Sequence, residues 1–166
     1  MEHSTWGKEF LAQLEAEVAS TRNCLERIPE TVYNFKPHEK SMQMGYLTLL
    51  VAEMPRWITK MIQQGEIDLA NYDNFQLSTT AALLKHFDEN IAEVRQTLLE
   101  ASDDRMEEIF TLRGGDQVMM KEPIRESIDS TIRHWVHHRG QLTVYMRLND
   151  IAVPSIYGPS ADSRGN

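Results

Sequence analysis

Ile128-Asp-Ser-Thr-Ile-Arg-His-Trp-Val-His-His-Arg-Gly-Gln-Leu142 is the stretch whose reading decides the fold. Ile128, Trp135 and Leu142, with Met146 beyond, recur on one stripe of a 3.6-residue helix, the pattern of a core-facing surface. Ser127, Thr131, His134, His138 and Tyr145 form a polar row beside that stripe. A polar row flanking a core stripe lines a cleft or a second interface. The periodicity runs from Pro123, which suits a first helical turn, to about Asn149. Beyond it, Pro154, Gly158 and Pro159 preclude a regular helix.

Working outward, three more segments carry the same period. The first covers roughly residues 4–28, with Phe10, Leu14 and Val18 spaced by four and Pro29 as its stop. The second covers roughly residues 42–64, with Leu47, Leu50, Met54, Ile58 and Met61 in one stripe, Pro55 as a kink and Gly65 as C-cap. The third covers roughly residues 79–101 behind an N-cap at Ser78, with Leu83, Phe87, Ile91, Val94 and Leu98 inward. Residues 66–77 are polar and read as a long crossover. Between the third and fourth helices, apolar residues flank Gly114-Gly115-Asp116, the signature of a small hairpin packed on the helices. The pattern predicts one all-α domain, a four-helix bundle.

Composition narrows the function. The chain has 166 residues and a formal net charge of -8, with no Lys/Arg run, so nucleic acid is disfavoured as a partner. No segment approaches the length of a membrane span, and Met1 to Phe10 lacks the apolar run of a signal peptide. Cys24 is the only cysteine, so no internal disulfide forms, and a cytoplasmic location is expected. In its amphipathic setting Cys24 reads as a packed thiol.

His134 and His138, four apart, place their rings one above the other on a helix face. That spacing suits two ligands of one metal ion, but a site needs at least a third. It equally suits two half-buried imidazoles bonded to Ser, Thr or Tyr neighbours. His137 belongs to another, outward face. Arg139 falls near the core stripe and needs a partner; pinning the tail or a neighbouring helix is its simplest role. Gly140 in mid-helix costs stability, which predicts either tight helix packing or a subunit interface there.

Four stretches resemble one family in order along the chain. They are Lys36-Pro-His-Glu-Lys-Ser-Met42, Ala52-Glu-Met-Pro-Arg-Trp57, His134-Trp-Val-His-His-Arg-Gly-Gln-Leu-Thr-Val-Tyr145 and Val153-Pro-Ser-Ile-Tyr-Gly-Pro-Ser-Ala-Asp162. They are similar to the motifs of the DinB-like (damage-inducible DinB or YfiT-type) bundles, which are unrelated to the polymerase of that name. The resemblance implies a bundle with a long crossover, a homodimer, and a divalent metal, zinc or nickel, held by three histidines. Two of these map onto His134 and His138. The third maps three residues before Glu53, onto Leu50, which offers no donor atom. Glu53, one turn on, is a candidate replacement, and His38 a more remote one.

Two functions follow from the resemblance. One is a stress-related, non-catalytic or weakly active binding protein with a degenerate metal site and room for a small apolar ligand. The other is a metal-dependent transferase or isomerase using a low-molecular-weight thiol in the cleft between the second and fourth helices, with Tyr145 bonding the substrate.

Overall fold

The computed structural model describes residues 5–164. Four long helices carry the core: α1 (Thr5–Leu25), α2 (Met44–Gln64), α3 (Thr80–Glu100) and α5 (Ile124–Leu148). Both α2 and α1 pack against α3 and α5, so α1 and α2 lie nearly diagonal to one another. The apolar stripes meet at the centre, where Leu14, Leu47, Met54, Phe87, Ile128 and Trp135 are buried. None of the described helices is long and apolar enough to cross a membrane.

The expected boundaries shift for local reasons. Ser4 lies outside the described residues, and α1 stops at Leu25 rather than at residue 28. Pro29 pushes the residue before it out of the α region, so the helix ends before reaching it. The N-cap of α3 is Thr79, not Ser78: its hydroxyl accepts from Ala82 N at 3.1 Å, while Ser78 stands outside the turn. Gly65 caps α2 with φ +70 and donates its N–H to Met61 O. Pro123 ends a strand and precedes the first turn of α5 instead of occupying it.

The all-α expectation gives way to a mostly helical fold with a small sheet. The hairpin is present as β2 (Ile109–Gly114) and β3 (Gln117–Pro123), turning at Gly115 with φ +60. The crossover contributes a third strand, β1 (Glu66–Asp68), parallel to β2 with Ile67 opposite Leu112. Asp68 ties crossover to hairpin by accepting from Gly115 N at 2.8 Å. A short helix, α4 (Asp103–Glu107), behind the Ser102 N-cap was not expected. Its Asp103 carboxylate also accepts from Thr5 N and Trp6 N, capping the start of α1.

Pro55 positions the functional region. α2 runs through it without interruption, but the missing N–H leaves Val51 O without its helical donor. Trp135 of α5 fills the gap, its indole N–H reaching Val51 O at 2.8 Å. Asn90 of α3 donates to Ala52 O at 3.1 Å. Both neighbouring helices therefore dock on the proline turn, immediately beside Glu53 and Trp57.

Candidate functional site

His134 and His138 stand one turn apart on α5, and their Nε2 atoms converge to 2.7 Å. His138 is buried, with Nδ1 2.7 Å from Gln141 Oε1; His134 is exposed on one side. An amide oxygen only accepts, so His138 carries its proton on Nδ1 and its Nε2 accepts from His134. Two neutral imidazoles thus satisfy one another. Burial, chiefly, and the neighbouring His138 and His137 hold His134 below the ordinary histidine pKa. Burial lowers His138 as well, opposed in part by the Gln141 bond and reinforced by His137. His137 is exposed, as its outward face requires.

The donor set does not fit a three-histidine metal centre. Leu50 is half-buried and presents methyl groups to a cavity. Glu53 does not replace the missing ligand. Its Oε1 accepts from His86 Nε2 of α3 at 2.5 Å, and its Oε2 accepts from the Tyr72 hydroxyl at 3.0 Å. Both oxygens are therefore engaged away from the histidine pair. His38 is exposed and accepts from Lys40 N within its own loop. Among the described residues, no group of three or more His, Cys, Asp and Glu side chains is arranged to hold an ion. Tyr145, expected at the substrate, donates its hydroxyl to Met42 O at 3.2 Å and packs edge-on against Phe35. It anchors the loop before α2.

Two cavities adjoin Trp57, and His134 lines the first of them. The first, about 360 Å³, lies between α2, α5 and the sheet, walled by Trp57, Met61, Phe110, Leu112 and Met120, among others. Its polar groups, Ser130, Thr131 and His134, all come from α5. Trp57 reaches His134 with ring centroids 6.3 Å apart. The second cavity, about 530 Å³, is lined by Tyr46, Leu49, Leu50, Glu53, Tyr72 and Asn74. Trp57 and Leu69 line both.

Sequence reasoning missed His86 and Tyr72. His86 precedes Phe87 at the margin of an apolar stripe, and a titratable group there is a signal for a buried partner. Phe75 of the crossover stacks on its ring at 4.0 Å. Burial and the Glu53 carboxylate push the Tyr72 hydroxyl far above its usual range, so it remains a donor.

Comparisons with known proteins agree with this architecture. The family model described as "DinB family" matches residues 1–164. The chain is similar in structure to a DinB-like protein, YjoA, of Bacillus subtilis, with TM-score 0.70 and 18% identity over 94% of this chain and 99% of that one. It is also similar to a DinB-like protein of Bacillus cereus ATCC 10987, with TM-score 0.67 and 18% identity over 90% and 97% of the two chains. These likenesses concern the fold. In sequence, 31 residues are 55% identical to the uncharacterized protein YrdA of Bacillus subtilis (strain 168). That match spans only 19% of this chain and 19% of the relative.

Proposed function

The chain belongs to the DinB family, and within it we propose a non-catalytic or at most weakly active binding protein with a degenerate metal site. In this reading a four-helix bundle with a long crossover takes a small, mostly apolar ligand in the first cavity. His134, at the cavity wall, hydrogen-bonds the polar end of that ligand. The observation that carries the proposal is the pairing of an almost wholly carbon-lined cavity with two histidines that bond each other and, among the described residues, belong to no group of three or more ligand-type side chains arranged to hold an ion. Pockets of this size and lining suit small-molecule ligands. Family membership alone supports a stress-related role. A homodimer is supported by the outer face of α5, where Val144 and Leu148 are 58% and 56% exposed.

One feature favours a zinc- or nickel-dependent thiol transferase or isomerase instead: the two Nε2 atoms already point at one another. The choice is decided by titrating tag-free protein with zinc, nickel and benzyl alcohol while following thermal unfolding. A ligand of the native state raises Tm by mass action. Benzyl alcohol is expected to raise the wild-type Tm, and neither metal to bind tightly at one per chain. Leu50→His is expected to gain stoichiometric zinc or nickel. A tight stoichiometric ion on the wild type overturns the metal-poor reading. A Leu50→His variant that binds neither metal overturns the assignment of Leu50 to the lost ligand position.

A further inference from the structure

We propose that the two cavities are halves of one elongated cleft, and that Trp57 and Leu69 form a partition limiting the length of ligand the first half accepts. The inference rests on the first cavity being an apolar-ligand site and adds what determines its specificity. Among the described residues Trp57 and Leu69 alone line both spaces, so the same side chains end one and begin the other. They come from different elements, Trp57 from α2 and Leu69 from the turn that follows β1. A barrier made by two elements holds only if the second is fixed to the first.

The crossover is fixed to α2 and α3 close to the partition. The Tyr72 hydroxyl donates to Glu53 at 3.0 Å. Arg56 donates to Asp73 O at 2.9 Å, and its guanidinium lies 5.7 Å from the centre of the Tyr72 ring. Phe75 stacks on His86, whose Nε2 holds the other Glu53 oxygen. Glu53, buried beside the proline-docked carbonyls, thus fastens the strap that carries Leu69. Beyond the partition Leu49, Leu50 and Tyr46 offer apolar surface for a chain to follow, in a space that Glu53, Tyr72 and Asn74 also line. The ligand class is a slim amphiphile: a hydroxyl or similar polar end at His134 and a short unbranched or monocyclic body running past Trp57 to end at Leu69.

Straight-chain alcohols from butanol to decanol measure that length. Each methylene buried strengthens binding about fourfold. In the wild type, calorimetric affinity is expected to climb at that rate and then level off when the chain meets the partition. In Leu69→Ala and Trp57→Ala the climb is expected to continue for further carbons. Leu69 is half exposed, so its truncation keeps the test informative if Trp57→Ala fails to fold. Ser130→Trp, which fills the first cavity, is expected to abolish binding of the short alcohols. Levelling at the same chain length in Leu69→Ala as in the wild type overturns the partition and leaves the apolar site standing. Absence of binding by any alcohol, or short-alcohol binding untouched by Ser130→Trp, overturns both.

Discussion

Cys24 is fully buried, and burial pushes its thiol up to about 11. Thiolate, the species that attacks a disulfide reagent, is therefore scarce at pH 8 in the folded protein. Ellman's reagent is expected to label Cys24 only in denaturant; rapid labelling under native conditions contradicts the packing. The histidine pair has the opposite electrostatic problem. Both imidazoles titrate below the value of about 6.5 that an unfolded chain shows. As pH falls through 6.5 the unfolded chain takes up protons that the folded chain refuses, so stability declines on the acid side and is retained above it. Urea midpoints between pH 7.5 and 5 are expected to fall for the wild type and to fall less for the His134→Gln/His138→Gln double variant. Equal slopes contradict the coupling. Arg139 shows how far residue-level reading reaches. Its position near the core stripe announced a partner, and the structure supplies the Glu17 carboxylate at 2.5 Å and the Tyr157 hydroxyl at 2.7 Å. Helix and tail are both pinned, as the simplest role required. Arg139→Ala leaves the Glu17 carboxylate with only the Tyr157 hydroxyl as donor and is expected to cost ~3 kcal/mol in urea unfolding, with earlier proteolysis of the tail. The spacing of His134 and His138 was legible because it is a property of one helix. The engagement of Glu53 was not, because its partners stand 33 residues away on α3 and 19 away on the crossover.

Elements were legible where a period ran long enough to average over single residues. The four long helices declared themselves by apolar stripes, and the hairpin by its Gly-Gly turn. β1 and α4, with three and five residues, are shorter than any period can register. β1 exists because β2 offers it an edge, a fact of tertiary structure. The crossover is therefore the element whose importance the sequence understated. It supplies a strand, part of a cavity wall and the two aromatics that engage Glu53 and His86. Tyr72→Phe tests its attachment. The change keeps the ring but leaves Glu53 Oε2, in a side chain only 6% exposed, without its hydrogen-bond donor and with only the Arg56 guanidinium 3.8 Å away. The expected cost is ~1–3 kcal/mol, together with faster amide exchange in the crossover than in α1. A neutral result with unchanged exchange contradicts its role as a fastening. Thr79→Ala, which removes a cap from the same end of α3, is expected to cost about 1 kcal/mol without accelerating exchange around Tyr72.

For the whole molecule, the unexplained choice is Gly140. Mid-helix glycine is unfavourable, and within this chain nothing requires it: a Cβ there meets no atom within 4 Å. Among the described residues the tight packing anticipated inside the chain is absent at this position, so the proposed subunit interface is the reading that the glycine puts to the test. Gly140 lies among His137, Gln141, Val144 and Leu148 on the outer face of α5, all exposed. A partner helix approaching this face closely gains from the missing side chain, whereas an isolated chain only loses helix propensity. The two situations predict opposite signs for one substitution. In dilute solution, where subunits separate, Gly140→Ala is expected to raise stability by up to about 1 kcal/mol. At higher concentration the same change is expected to weaken self-association, read as a shift toward monomer in light scattering coupled to gel filtration. Val144→Asp, which places a charge on the apolar part of the face, is expected to abolish the dimer outright. A dimer that survives Val144→Asp uses another surface. A Gly140→Ala protein that is more stable and equally dimeric removes the interface as the explanation for the glycine.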